Sequence, residues 1–215
     1  MWPEPGGTPA VKICGLTRPD EAAACAALGV WGVGVVLAEG SPRRVAADTA
    51  ARVLDPVPEG VARVGVFVDA SADEMARVAR IAGLTHLQVH GACDPARARD
   101  ACGLPVIEGV RVDGAPALAR ARASAADLVL LDAAVAGLHG GTGTAFDWGL
   151  LDREPLGRPF GLAGGLRHDT VSEALARTRP SLVDVSSGVE SAPGRKDPEL
   201  VRAFVAAVAA AAIVA

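Results

Sequence analysis

Short apolar runs recur along the whole chain, each bounded by glycine, proline or aspartate. They are residues 11–14 (VKIC), 31–37 (WGVGVVL), 62–68 (ARVGVFV), 86–90 (HLQVH), 105–112 (PVIEGVRV), 128–132 (LVLLD), 159–164 (PFGLAG) and 182–187 (LVDVSS). Their apolarity is continuous rather than alternating, the pattern of strands covered on both faces in a parallel sheet. Between them lie segments rich in Ala, Arg, Glu and Leu, and the spacing predicts helices over 20–28, 46–54, 72–81, 95–101, 116–123, 169–177 and 198–213. Start signals accompany several of these: Thr17 before Pro19, Ser71 with Glu74 three residues on, and Asp94 before Pro95.

Eight strand–helix units in 215 residues give a repeat of roughly 27 residues, about what a single-domain (β/α)8 TIM barrel of parallel strands requires. The sixth unit is the weakest, because its helical segment is short and follows a Gly-rich loop. A doubly wound open sheet is the alternative, but such folds usually carry a GxGxxG or Walker-type turn after the first strand, and CGLTRPD is neither. Residues 1–10 read as a flexible leading segment and 11–215 as one barrel domain.

Composition narrows the class of function. Half of the residues are apolar and only 3% aromatic, with no tyrosine, so the core must be aliphatic. A formal charge of −4 argues against a nucleic-acid or anionic-membrane surface. An anionic ligand therefore needs a local cationic site. Cys14, Cys25, Cys93 and Cys102 show neither CxxC spacing nor a neighbouring His pair, so no metal site is expected. The opening MWPEPGGTPA has no basic n-region, and the 13 residues after Arg202 are too few to span a bilayer. A cytoplasmic protein with reduced thiols is the expectation.

In a barrel of this kind the strand C-termini form the functional face. Cys14, Asp69, His90, Asp132, Gly164–Gly165 and Ser186–Gly188 all fall there. Cys14 closes the first run beside Gly15, where a thiol can act as nucleophile or base if nearby positive charge lowers its pKa. Lys12 shares its face of the strand, and Asp184 is expected to point inward from the neighbouring strand, pairing with Lys12 in the barrel floor. Asp132 ends an otherwise wholly apolar run, an environment that suits a general acid. Gly-rich turns at 140–143, 164–165 and 186–188 are candidates for phosphate, and Arg43 supplies positive charge at the same mouth.

The segments KICGLT (12–17), SPRR (41–44), QVHG (88–91), LLD (130–132), GGTG with FDW (140–148), LAGGL (162–166) and VDVSSGVE with PGRKD (183–197) resemble the phosphoribosylanthranilate isomerase family, in its order and spacing. The resemblance implies a (β/α)8 barrel of tryptophan biosynthesis that converts N-(5-phosphoribosyl)anthranilate into 1-(2-carboxyphenylamino)-1-deoxyribulose 5-phosphate. It implies no metal and no cofactor, a small phosphorylated substrate as partner, and a monomer or homodimer. By the same resemblance Cys14 is the general base, Asp132 the general acid and Arg43 the ligand of the anthranilate carboxylate. Gln88, His90 and Asp184 are expected at the substrate; Gly143, Gly164, Gly165, Ser186, Ser187 and Gly188 at its phosphate. The chain departs from the family pattern at Ala145, where Thr is common, at Glu108, often Lys, and in LAEG (37–40), which lacks the usual aromatic.

Overall fold

The structure is a computed structural model that describes residues 7–133 and 148–213. These residues form a closed barrel of eight parallel strands: β1 (Ala10–Ile13), β2 (Gly32–Val36), β3 (Ala62–Val68), β4 (His86–His90), β5 (Val106–Val112), β6 (Leu128–Ala133), β7 (Phe160–Ala163) and β8 (Leu182–Val185). The connecting helices are α1 (Pro19–Ala26), α2 (Ala47–Leu54), α3 (Ala72–Ala82), α4 (Pro95–Cys102), α5 (Ala115–Ala123), α6 (Gly149–Arg153), α7 (Val171–Thr178) and α8 (Pro198–Ile213). The (β/α)8 expectation holds. Ala10, assigned from sequence to the leading segment, is the first residue of β1; residues 1–6 of that segment lie outside the described residues.

Side-chain parity sorts each strand into two environments. Val11, Ile13, Val33, Val35, Leu87, Val89, Val129, Leu131, Val183 and Val185 face outward into the main core under the helices. Ala62, Val64, Ile107, Leu128, Leu130, Ala163 and Leu182 form a second, smaller core inside the barrel. This double coverage is why the runs read as continuously apolar. Each fully buried Leu or Val contributes about 1.5–3 kcal/mol relative to exposure.

The helices follow the same logic. Helix α3 buries Met75, Ala76, Val78, Ala79 and Ala82, a stripe of 3–4 residue spacing. The Ser71 hydroxyl accepts from Glu74 N at 3.2 Å, and Asp94 Oδ1 accepts from Ala96 N at 2.9 Å, both as predicted. Thr17 does not cap α1. Arg18 occupies the cap position without a side-chain bond, while Thr17 Oγ1 donates to Gly194 O at 2.7 Å. Helix α6 has only five residues, in keeping with its weak signal.

The eighth unit differs most from expectation. The run 182–187 is strand only as far as Val185; a 3-10 turn over Ser187–Val189 follows, and then an antiparallel hairpin of β9 (Glu190–Ala192) and β10 (Arg195–Lys196). Pro193 and Gly194, with φ +76° at the glycine, make the turn between them. Among the described residues no helix is long and apolar enough to cross a membrane.

Candidate active site

Inward parity carries Lys12, Gln88, Asp132 and Asp184 into the barrel, above the apolar floor, with Cys14, His90 and Ser186 nearest its mouth. Lys12 Nζ donates to Asp184 Oδ1 at 2.9 Å, and both residues are buried. The pairing expected from sequence is therefore present. Burial works against the charged ammonium, but Asp184 and the Cys14 sulfur outweigh it and hold Lys12 above its ordinary pKa.

Cys14 sits immediately beyond β1, buried, with its amide donating to Val185 O at 2.8 Å. Gly34 on β2 makes room for it: a β-carbon there would stand 3.1 Å from Cys14 Sγ and 3.2 Å from Lys12 Nζ. The electrostatics correct one sequence expectation. Burial pushes the Cys14 thiol above its ordinary pKa; Lys12 and Lys196 pull it down without overcoming the loss of water, and Asp184 adds to the rise.

Gln88 Nε2 lies 2.9 Å from His90 Nε2, and Gln88 Oε1 is buried with no hydrogen-bond partner among the described residues. The His90 ring lies against Gly109 of β5. Burial, reinforced by Lys12, lowers the His90 pKa, so the ring is neutral at pH 7. Asp69 follows β3 with φ +51°, and its Oδ1 accepts from Ala92 N at 2.7 Å, joining the third and fourth loops. Asp132 lies on β6 with Arg111 of β5 as its register partner, so the two share one face of the sheet at the mouth. Arg111 had no role in the sequence reading, although its parity with Ile107 places it inward.

Arg43 follows β2 and is engaged side-on by Glu190, with Nε to Oε1 at 2.8 Å and Nη2 to Oε2 at 2.6 Å. Lys196 Nζ donates to the same Glu190 Oε1 at 2.7 Å and to Ser186 O at 3.1 Å. Burial alone would raise the Glu190 pKa, yet Arg43 and Lys196 together hold it below the ordinary carboxylate value. Glu190 raises the Arg43 pKa further, while burial leaves Lys196 below its ordinary value. Both Glu190 and Lys196 lay within a matched segment but received no role from sequence. The available signal was an acid and a base flanking a Pro-Gly turn, which a hairpin brings face to face.

Gly164 and Gly165 follow β7, both with positive φ. Gly188 packs against the carbonyl of Leu166, so the seventh and eighth loops touch. Gly143 and Ala145 lie outside the described residues. Glu108 is engaged away from the mouth, by the Ser124 hydroxyl. Among the described residues no three His, Cys, Asp or Glu side chains are grouped to hold a metal ion.

The architecture is that of a (β/α)8 barrel whose mouth combines a buried thiol, a carboxylate on a distant strand and an arginine, flanked by two touching glycine-bearing loops. Comparison with known proteins narrows this further. The family model for N-(5'-phosphoribosyl)anthranilate (PRA) isomerase matches residues 11–207. An N-(5'-phosphoribosyl)anthranilate isomerase from Rhodospirillum centenum is 46% identical over 209 residues, covering 93% of this chain and 98% of the relative. The crystal structure of phosphoribosyl anthranilate isomerase from Thermus thermophilus aligns with a TM-score of 0.82 at 37% identity, covering 94% of this chain and 98% of that one. A phosphoribosyl anthranilate isomerase in complex with reduced 1-(o-carboxyphenylamino)-1-deoxyribulose 5-phosphate aligns with a TM-score of 0.81 at 32% identity, covering 94% and 99%. The chain belongs to the phosphoribosylanthranilate isomerase family.

Proposed function

We propose that the protein is the aldose–ketose isomerase of tryptophan biosynthesis that converts N-(5'-phosphoribosyl)anthranilate into 1-(2-carboxyphenylamino)-1-deoxyribulose 5-phosphate. The observation that carries this reading is that Cys14, directly after β1, and Asp132, on β6, both share the inward parity of their strands at one barrel mouth. An Amadori rearrangement needs an acid and a base acting on different atoms of one sugar.

Asp132 donates its proton to the furanose ring oxygen as the C1'–O bond breaks, and the anthranilate nitrogen lone pair forms an iminium. Cys14, as thiolate, removes the C2' proton. The C–H electron pair becomes the C1'=C2' double bond and the iminium π pair returns to nitrogen. Loss of the enol O–H proton and protonation of C1' complete the ketose. The proton taken up by Cys14 is released to solvent as Asp132 regains one, so atoms and catalyst states balance without an external oxidant. Lys12, anchored by Asp184, is the cation that stabilises the Cys14 thiolate.

Arg43 receives the anthranilate carboxylate, as a guanidinium does in charge-assisted pairs. Gly164, Gly165, Ser186, Ser187 and Gly188 receive the phosphate, with Gly143 a further candidate. Gln88 Oε1, a buried acceptor without a partner among the described residues, suits a sugar hydroxyl. Turnover of N-(5'-phosphoribosyl)anthranilate by the purified protein tests the assignment, and complementation of a tryptophan auxotroph lacking this isomerase tests its place in the cell. Absence of both would overturn it.

A further inference from the structure

Glu190, Arg43 and Lys196 form one continuous connection between two loops of the barrel mouth. Arg43 belongs to the loop after β2, and Ser186 to the loop after β8. Between them runs an unbroken chain: Arg43 to Glu190 by two bonds of 2.8 and 2.6 Å, Glu190 to Lys196 at 2.7 Å, and Lys196 to the Ser186 carbonyl at 3.1 Å. The Glu190 and Lys196 side chains are almost wholly buried, at 4% and 2% exposure, whereas Arg43 keeps 16%. The stem of Arg43 also lies over Gly15, where a β-carbon would stand 2.6 Å from Arg43 Cδ and 2.8 Å from Ser186 Oγ.

A lone arginine on a loop has many rotamers and loses them on binding. The side-on grip of Glu190 takes the Nε and Nη2 edge and sets the guanidinium plane. Of the five N–H donors of the group, those on Nη1 are not engaged by Glu190. A second, planar anion can meet them without displacing the first. Lys196 donates to Glu190 Oε1, the oxygen that also accepts from Arg43 Nε, so a second cation keeps Glu190 ionised and fixed.

We infer that Glu190 is a positioning residue that pre-sets the Arg43 guanidinium to receive the substrate carboxylate, with Lys196 tying it to the Ser186 end of the site. The inference rests on the carboxylate-binding role proposed for Arg43. It is distinct from the acid–base chemistry, so turnover by the wild type tests the activity while ligand affinities test Glu190.

The experiment measures binding of reduced 1-(o-carboxyphenylamino)-1-deoxyribulose 5-phosphate and of its anilino counterpart lacking the carboxylate. Wild type, Glu190→Gln, Arg43→Ala and the double variant are compared, with folding checked by circular dichroism. Glu190→Gln is expected to weaken the carboxylated ligand about tenfold and leave the anilino ligand within about twofold. In the Arg43→Ala background the same change should have no further effect on carboxylate affinity. Equal losses for the two ligands, or additive effects of the two substitutions, would overturn the inference. So would a wild type that binds both ligands equally. Should Glu190→Gln fail to fold, Glu190→Asp, which keeps the charge but shortens the reach, is to show the same selective loss; an equal loss for both ligands would count against the role.

Discussion

Lys12 and Asp184 are Cα partners in the β1–β8 pairing that closes the barrel, and their side chains meet at 2.9 Å inside it. One ion pair thus lies across the seam where the first strand meets the last, directly below Cys14. Removing one partner strands a buried charge. Lys12→Met and Asp184→Leu are each expected to cost about 3–5 kcal/mol, whereas the double substitution should restore much of that stability. Denaturant unfolding of the three variants measures it; single losses that simply add would show that the pair is not coupled.

The raised pKa of Cys14 has a kinetic counterpart. A base must be deprotonated to act, so in the Asp132→Asn background, where no acid titrates against it, the residual kcat/KM is expected to climb through neutral pH and to keep climbing past about 8.5, the ordinary thiol value. Lys12→Met should displace this limb further toward alkaline pH. Iodoacetamide is expected to modify Cys14 slowly at pH 7 and faster as pH rises, with activity lost in parallel. A limb below pH 7 would contradict the dominance of burial.

Asp132→Asn keeps the shape of the side chain and removes its proton. With the ring oxygen unassisted, kcat should fall by about 10²–10⁴ while affinity for the carboxylated product analogue changes little. A folded Asp132→Asn variant with near-normal kcat would exclude Asp132 as the acid.

His86, at the start of β4, touches Trp31 edge-on with 5.1 Å between ring centroids, and burial lowers its pKa to about 4. Between that value and about 6.5 the unfolded chain binds a proton that the folded chain does not, so stability falls as pH falls through this window. His86→Phe removes the proton site. Its melting temperature should decline less than that of the wild type between pH 7 and pH 4.5, and parallel declines would show that other groups dominate acid lability.

The barrel was legible because two-sided burial leaves continuous apolar runs, and parity then places Lys12, Cys14, Asp132 and Asp184 on the inner face without any knowledge of contacts. Helix starts at Ser71 and Asp94 were equally readable, since capping is local. Thr17 misled because its hydroxyl has a competing long-range partner in Gly194, which no local pattern reports. The Cys14 pKa misled for a related reason. Lys12 two residues away is visible in sequence, but the extent of burial that outweighs it is a property of the assembled mouth. Glu190 and Lys196 stayed silent because Arg43, the residue that gives their pairing a purpose, lies about 150 positions earlier.

The hairpin after β8 carries a constraint on how this stretch of chain can change in length. Ala192 pairs with Arg195 and Glu190 with Lys196, so Ser191 is an extra residue that the opposite strand does not match. That single unmatched residue brings the carboxylate level with the ammonium. Deleting Ser191 would leave Glu190 opposite Lys196 in a regular ladder, whereas a second residue added beside Ser191 would set Ser191 there in place of Glu190, and one added to the Pro193–Gly194 turn would slip the strands by a comparable step. Side chains at 191 and 195 can be exchanged one at a time with local consequences, but residues cannot be added to the hairpin without moving Glu190 off Lys196. Insertions between Val189 and Asp197 are therefore expected to be poorly tolerated, although this is a surface hairpin of the kind that usually absorbs them.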